Sequence, residues 1–368
     1  MNLDAVPVLM YHSVKAARKS EWVHPMLSLT LEEFYRHLRL FKLLGCQSFF
    51  MDDVVDHIEG KTRLPNRSLV LTFDDGYRDN LVFAFPLLKK FGLRATIWVN
   101  PEFVDDSDDT IAPTLEDYWE GKVTLDELQK IDGFLNWAEM HEMEKSGLID
   151  IQSHTMTHTK YPVSDEIVDF VAPHTKIDWL HWNLFPEDKI NFLREQKKRI
   201  PLGYPIYKSE RANIARKVTE NGELTQALIE YVESKGGADF FNGTEWKKQL
   251  FEFSENFKKN NPGLYTEETE EEYEKRLKYE LAESKSIIEK KLNKTVNHVC
   301  WPFGGWDEKT VKAAVQYGYV STTAKGIKNN FGRGIPERID RISLTRRGYR
   351  GLIAYPYSLY RLFKYKFA

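Results

Sequence analysis

The 368-residue sequence predicts an α/β fold with parallel strands, interrupted by a long, mainly helical insertion. Three observations lead to this class. Short apolar segments alternate with helical patterns over the first hundred residues, the alternation stops near residue 160, and it resumes near His298. Strand–helix alternation is typical of a parallel sheet. Because both outer parts share this pattern, we expect one α/β domain with an insertion rather than two domains in series.

The first part of the chain contains four strand patterns and three helix patterns. In the helix that follows Thr30, Leu31, Phe34, Leu38 and Phe41 recur at helical spacing, with Thr30 as N-cap and Gly45 as the stop. The predicted elements are strands at 7–11, 46–50, 69–73 and 94–99 and helices at 29–45, 51–60 and 81–92.

The rest of the chain divides into an acidic loop, the insertion and a second α/β part. Residues 101–135 are acidic and loop-like, and a helix at 137–146 leads into a strand at 148–153. In the insertion, Tyr273, Leu277 and Leu281 form one apolar stripe along a long charged helix. A strand at 298–301, a helix at 308–317 and strands at 319–323 and 338–344 follow. The predicted divisions are 1–159, 160–292 and 293–368.

Composition limits the function classes. The 52 basic residues nearly balance the 55 acidic ones, so no nucleic-acid footprint is expected. Cys46 and Cys300 suit a reducing compartment, although a single bridge between them is possible. The N-terminal sequence lacks the basic segment of a signal peptide, and no apolar run reaches the length of a membrane span. The expected location is therefore cytoplasmic.

The C-terminal sequence GLIAYPYSLYRLFKYKFA combines apolar and aromatic residues with Arg361, Lys364 and Lys366. One interpretation is a terminal helix that covers an edge of the domain. The other is peripheral contact with an anionic lipid surface.

Two adjacent acids, Asp74 and Asp75, follow directly on the apolar segment Leu69 to Phe73. Other adjacent acids in the chain lack this context and suit solvated surface. The carboxyl ends of parallel strands build the active sites of α/β barrels. Of two carboxylates at such an end, one can bind a metal ion and the other can transfer protons.

Two histidines, His154 and His158, lie four residues apart after a second strand pattern. Each alone is more often a core or capping residue. Together with Asp75 they would supply one carboxylate and two imidazoles. This set suits one divalent cation, Zn²⁺ first and then Co²⁺, Ni²⁺, Mn²⁺ or Fe²⁺.

The sequence CWPFGGWD, residues 300–307, places a proline, two glycines and three aromatic residues after a third strand pattern. Trp301, Pro302, Phe303 and Trp306 are either a packed turn with core aromatics or the floor of a sugar-binding groove. If the loop is a groove floor, its backbone N–H groups would stabilise a developing oxyanion.

The segments TFDDGY, SHTMTH and WPFGGWD, in this order, resemble the motifs of the polysaccharide deacetylase family, the NodB-homology carbohydrate esterases. The resemblance covers about Val6–Thr159 and Asn297–Leu344. It implies a distorted (β/α)7-type barrel and metal-dependent N-deacetylation of an N-acetylated amino sugar by a metal-activated water. It also implies that Asp74 is the catalytic base, that Asp75, His154 and His158 bind the metal, and that the Pro302–Phe303 loop forms the groove wall.

The sequence departs from the family pattern at Phe303, which replaces a tyrosine in a loop that needs only its backbone, and at two further places. Cys300 stands where the family has an arginine, and a C-terminal histidine motif is absent. The start, PVLMYHSV, resembles a subgroup whose barrel is circularly permuted. There His12 would be the general acid, although by itself it would be a structural histidine. Arg341, or less favourably Arg338, would replace the missing arginine and orient Asp74.

Three alternatives follow for function. The first is metal-dependent N-deacetylation of a saccharide, with the insertion covering the active-site side and restricting substrates. The alternative for the insertion is a purely structural cap. The second is hydrolysis of another C–N bond, in a cyclic amide or heterocycle, on the same scaffold. The third is a glycan-binding protein without catalytic activity.

Overall fold

The computed structural model describes residues 6–17, 23–190, 199–325 and 338–344. The C-terminal aromatic and basic segment lies outside these residues. The strands are β1 Val8–Tyr11, β2 Ser13–Lys15, β3 Ser28–Thr30, β4 Gln47–Ser48, β5 Ser68–Phe73, β6 Ala95–Val99, β7 Ile149–Ser153, β8 Lys160–Phe170, β9 Pro205–Arg211, β10 Val218–Glu220, β11 Tyr265–Glu267, β12 His298–Cys300, β13 Ser321–Lys325 and β14 Arg338–Ser343.

Twelve α-helices occur in the described part of the chain, together with short 3₁₀ and π segments. The α-helices are α1 Leu31–Leu43, α2 Met51–Ile58, α3 Phe85–Phe91, α4 Leu115–Trp119, α5 Leu125–Gln129, α6 Trp137–Lys145, α7 Asp178–Leu184, α8 Glu223–Ser234, α9 Trp246–Asn260, α10 Glu270–Lys278, α11 Ser284–Leu292 and α12 Glu308–Gln316. Two π-helical segments, Asn80–Ala84 and Tyr279–Glu283, directly precede α3 and α11.

Seven strands form a closed parallel barrel in the order β1-β14-β13-β12-β7-β6-β5. The barrel closes because β1 pairs in parallel with both β14 and β5, for example Leu9 with Ile342 and Leu9 with Leu71. All six residues of β5 are buried, as expected for a strand that is covered on both faces. The sequence-based prediction of a (β/α)7-type barrel is confirmed.

The flanking helices follow the sequence-based predictions closely. The Thr30 side chain accepts a hydrogen bond from Glu33 N–H and the Glu33 carboxylate accepts from Thr30 N–H, which completes a capping box at the start of α1. α2 contributes Met51, Val54 and Val55 to a buried cluster with residues of the barrel strands. The expectation of a loop across residues 101–135 was wrong in part, because α4 and α5 lie there behind Thr114 and Thr124 as capping residues.

The structure divides into two compact units. One comprises Met1–Thr157, Tyr279–Gly304 and Glu308–Ala368 and contains the barrel; the other comprises His158–Lys278 and Gly305–Asp307. The second unit is therefore shorter than the expected insertion, 160–292. Its helices are joined by four strands that the sequence analysis did not anticipate, paired antiparallel as β8 with β9 and β10 with β11.

The described residues contain no helix that is both long and apolar enough to cross a bilayer.

Candidate active site

The predicted site residues lie at the carboxyl ends of the barrel strands. Asp74 and Asp75 follow β5, His154 follows β7, and His12 follows β1. Cys300 is the last residue of β12, and Arg341 lies in the second half of β14. Parallel strands present their carboxyl ends at the same face of a barrel, so these side chains from distant parts of the chain come together.

Asp74 is bound by Arg341 in a two-pronged ion pair. The guanidinium donates from Nη1 to Asp74 Oδ1 at 2.5 Å and from Nη2 to Asp74 Oδ2 at 2.8 Å. Both side chains are buried. Burial raises the pKa of Asp74, but the charge and hydrogen bonds of Arg341 outweigh it, so the pKa lies below its usual value. Asp74 is therefore an oriented carboxylate at neutral pH.

Arg341 has two further partners, Thr72 Oγ1 at 3.0 Å and Cys300 Sγ at 2.9 Å. The contact with Cys300 explains how the chain tolerates a cysteine where an arginine was expected, since a small side chain there leaves space for Arg341. The weaker candidate, Arg338, is partly exposed. Burial raises the pKa of Asp340, and the charge of Arg338 offsets this rise only in part.

His12 lies beside Asp74, with 3.7 Å between its Nε2 and Asp74 Oδ2. Burial lowers the pKa of His12, and the charges of Asp74 and Asp75 offset this only in part. The Nδ1 atom is buried and has no hydrogen-bond partner among the residues that the structure describes. His12 is therefore a neutral imidazole whose Nε2 faces the carboxylate.

Asp75, His154 and His158 bring three potential ligand atoms within 4.8 Å of one another. His154 Nε2 lies 3.2 Å from Asp75 Oδ1, and its other ring nitrogen, Nδ1, lies 2.9 Å from the Cys300 carbonyl oxygen. That contact assigns the ring proton to Nδ1 and leaves the Nε2 lone pair for a ligand. His158 follows Thr157 directly and is the first residue of the second unit. One carboxylate and two imidazoles fit a first-row divalent cation.

A second set of potential ligands, Asp74, His154 and Cys300, also has its ligand atoms within 4.8 Å of one another, but it is less suited to a cation. Both oxygens of Asp74 already accept from Arg341. Burial raises the pKa of the Cys300 thiol well above its usual value, so the sulfur stays protonated. A positively charged guanidinium 2.9 Å from this sulfur also opposes cation binding.

Comparison with known proteins gives the family. The polysaccharide deacetylase family model matches residues 61–200 and 240–322, more than half of the chain. The chain belongs to the polysaccharide deacetylase family. The match begins after β1 and ends before β14, so His12 and Arg341 lie outside it.

Relatives within the polysaccharide deacetylase family share only part of the chain. YxkH of Bacillus subtilis (strain 168), which carries the name of a polysaccharide deacetylase, is 26% identical over 42% of this chain and 43% of its own length. The poly-β-1,6-N-acetyl-D-glucosamine N-deacetylase of Escherichia coli (strain K12) is 31% identical over 30% of this chain and 15% of its own length. The chain thus matches less than half the length of these curated relatives.

A solved structure confirms the fold of this family member. The de-N-acetylase from Aggregatibacter actinomycetemcomitans superposes with a TM-score of 0.58, covering 96% of this chain and 100% of its own, at 20% sequence identity.

The deacetylase motifs adopt unusual backbone conformations. Among the described residues, five non-glycine residues have positive φ, and four of them lie in the motifs: Asp75 (71°), Thr155 (63°), His158 (48°) and Phe303 (53°). Such a conformation costs on the order of 1–3 kcal/mol per residue and concentrates at functional sites. The rest of the fold therefore offsets the cost of the strained backbone at two of the three potential ligands, Asp75 and His158.

A buried carboxylate that the sequence analysis missed anchors the histidine loop. Glu280, in the π-helical segment before α11, is fully buried. Its Oε2 accepts from the N–H groups of Met156 and Thr157, each at 3.0 Å, and its Oε1 accepts from Thr157 Oγ1 at 2.5 Å. An acid three residues after Leu277, on the apolar face of a helix, was the available signal. Glu280 thus fixes the backbone between His154 and His158.

The aromatic loop after β12 divides into buried and exposed residues. Trp301 is only 2% exposed and Pro302 is buried, whereas Phe303 is 43% exposed. Trp306 is partly buried and belongs to the second compact unit. Burial of Trp301 fits the packed-turn interpretation rather than an open stacking face for a sugar. Phe303 is the exposed aromatic residue of this loop.

Proposed function

We propose that the protein is a metal-dependent N-deacetylase that hydrolyses the acetamido group of an N-acetylated amino sugar in a saccharide. The observation that carries this proposal is the grouping of the Asp74–Arg341 ion pair with Asp75, His154 and His158 at one end of the barrel. Family membership and the name of the Escherichia coli relative support the choice of substrate, for which we propose β-1,6-linked N-acetylglucosamine.

Asp75, His154 and His158 would hold the cation, for which Zn²⁺ is the first candidate, with Co²⁺, Ni²⁺, Mn²⁺ and Fe²⁺ as alternatives. When bound, such a cation supplies Lewis-acid chemistry, which polarises an amide carbonyl and makes water more acidic. The Nδ1 contact with the Cys300 carbonyl orients His154 toward it.

Asp74 would act as the general base. An acetamido group is a weak electrophile, so the attacking water must lose a proton as it adds. Arg341 donates to both oxygens of Asp74, which fixes the orientation in which Asp74 would accept that proton. The backbone of the Pro302–Phe303 turn would stabilise the charge that develops on the carbonyl oxygen.

His12 would deliver a proton to the departing amine. Because its pKa is lowered, the imidazole has to receive a proton at Nε2 before it can donate one. Asp74 Oδ2, 3.7 Å away, is the group positioned to pass on the proton taken from water. A separation of this size is typical of ligand-free sites, whose hydrogen bonds shorten once substrate is bound.

Acetate release from a β-1,6-linked N-acetylglucosamine oligomer tests the proposal. We expect the wild-type protein, loaded with Zn²⁺ or Co²⁺, to release acetate, and the Asp74→Asn variant to bind metal but lose activity at least 100-fold. Full activity of Asp74→Asn would contradict the proposed role of the base. Acetate release without any added or bound metal would contradict the role of the cation.

The rival C–N hydrolase activity has less support, because it relied on open tryptophan faces and Trp301 is buried. Ring-opening assays on cyclic amides test it directly. A glycan-binding protein without activity would bind the oligomer and release no acetate with any of the five metals.

A further inference from the structure

A cavity of about 280 Å³ lies entirely within the second compact unit. It is bounded by the antiparallel pairs β8–β9 and β10–β11, by α7, and by the start of α8. Ligand pockets usually range from roughly 300 to 1,000 Å³. The cavity is therefore suited to a ligand of about one ring rather than to an oligomer.

Five of the eighteen lining residues are aromatic: Tyr161, Trp179, Tyr204, Tyr207 and Tyr265. Trp179 and Tyr204 pack against a buried cluster around Leu180, whereas Tyr207 and Tyr265 belong to a separate cluster around α8 and α9. The cavity thus lies between two hydrophobic clusters, each of which holds aromatic rings at its wall. Such fixed rings offer apolar faces at little cost in side-chain entropy.

A carboxylate is held rigidly in the cavity wall. Glu220 accepts from Gly222 N–H at 3.0 Å, Leu224 N–H at 2.9 Å and Thr225 Oγ1 at 2.5 Å. A carboxylate has about four acceptor positions, so these contacts leave capacity for one more donor. Glu220 pairs with Tyr265 across β10–β11, and its charge adds to burial in raising the pKa of Tyr204.

The charges in the lining do not favour an ionic ligand. Lys217 is the one cationic residue of the lining and Glu220 the one anionic residue. The ammonium of Lys217 lies 5.1 Å from the centroid of the Tyr161 ring, a cation–π contact. A phosphate would need several donors and a long lipid chain would need a wholly apolar wall, and the lining provides neither.

We propose that this cavity is a saccharide-binding subsite that takes one pyranose ring of an amino sugar. The apolar C–H face of the ring would pack against Trp179 and Tyr204, and a ring hydroxyl would donate to Glu220. The choice of an amino sugar rests on the function proposed above. The combination of aromatic faces with one fixed acceptor is independent of it.

Calorimetric titration of the full chain with N-acetylglucosamine, and separately with glucosamine, tests this subsite. We expect a dissociation constant on the order of 1 mM for at least one of the two sugars. Trp179→Ala removes one wall, and Thr219→Trp fills the cavity from an exposed position of β10 that also lines it. Both variants should weaken binding at least tenfold.

Trp119→Ala is the matched control, because Trp119 is 46% exposed and lies in the barrel unit. The affinity of this variant for the sugar should equal that of the wild type. Thr219→Trp keeps the test informative if Trp179→Ala fails to fold. Unchanged affinity in a folded Thr219→Trp variant, or no binding by the wild type at about 10 mM sugar, would overturn the proposal. So would binding of adenine in place of either sugar.

The titration separates this proposal from the deacetylase proposal. If the wild type binds the sugar, Thr219→Trp weakens that binding and no oligomer releases acetate, the subsite proposal is supported and the deacetylase proposal is wrong. If acetate is released while Thr219→Trp leaves the affinity for the sugar unchanged, the deacetylase proposal is supported and the subsite proposal is wrong.

Discussion

Replacing Arg341 by methionine tests the central ion pair most severely. Arg341→Met keeps much of the side-chain volume but removes both hydrogen bonds to Asp74 and those to Thr72 and Cys300. Asp74 would remain buried, because only 4% of it is exposed. Leaving an uncompensated carboxylate in that position is strongly destabilising.

The magnitude follows from the burial of both partners. Removing one member of a buried ion pair costs about 3–5 kcal/mol of unfolding free energy. A typical domain has about 5–15 kcal/mol in total, so the variant should lose a third or more of its stability. In the double variant Asp74→Asn/Arg341→Met, neither partner of the pair remains as a buried, unpaired charge. This variant should therefore recover at least about 2 kcal/mol of the lost unfolding free energy.

Urea unfolding followed by tryptophan fluorescence gives these free energies. Arg36→Met, which removes an exposed ion pair with Glu32 on α1, is the control and should change stability by no more than about 0.5 kcal/mol. A loss below about 1 kcal/mol in Arg341→Met, or no recovery in the double variant, would refute the claim that these buried charges depend on each other.

Three further predictions concern the metal ligands, the anchored loop and one buried acid. Asp75→Asn should lose bound metal as well as activity, whereas Asp74→Asn should keep the metal; mass-spectrometric metal analysis of the two purified proteins distinguishes them. Glu280→Gln should weaken Zn²⁺ affinity roughly 10- to 100-fold in competition with a chromogenic chelator, with unchanged circular dichroism; wild-type affinity would contradict the anchoring role. Burial raises the pKa of Asp79 to about 6 despite Lys15, so the folded state binds this proton more tightly than the unfolded chain. The unfolding free energy of the wild type relative to Asp79→Asn should therefore fall by about 2 kcal/mol between pH 4 and pH 7, and a difference independent of pH would contradict the raised pKa.

The barrel was predictable from the sequence because its strands are locally distinctive. β5 is largely apolar and is followed at once by two acids and a glycine, and the strands before His154 and Trp301 are also followed directly by motif residues. The helix after Thr30 carried its capping signals in four residues. Buried parallel strands and capped helices are encoded by neighbours in the chain, so a single sequence suffices to find them.

The second unit was harder to predict because its strands follow no clean alternation. β8 contains Pro162 and two register shifts against β9, and most of its residues are only partly buried. The local pattern therefore gave no strand signal, and the insertion was predicted to be mainly helical. Whether this unit covers the active-site side stays a prediction, as does the cytoplasmic location.

Parts of the site depend on contacts that no local pattern reveals. Glu280 acts on Met156 and Thr157, more than 120 residues earlier in the chain. The burial of Trp301 could not be predicted from its own segment, which suited a packed turn and a groove floor alike. Arg341, by contrast, was expected. Cys300 stands where the family has an arginine, so another strand had to supply the positive charge that orients Asp74.

Anomalous diffraction from crystals grown with Zn²⁺, recorded on both sides of the zinc absorption edge, tests the central claim most directly. The account predicts one dominant peak within about 2.0–2.2 Å of a carboxylate oxygen of Asp75 and one ring nitrogen each of His154 and His158, with the Asp74–Arg341 pair intact beside it. A peak held by other residues, or none at this position in zinc-saturated crystals, would contradict it.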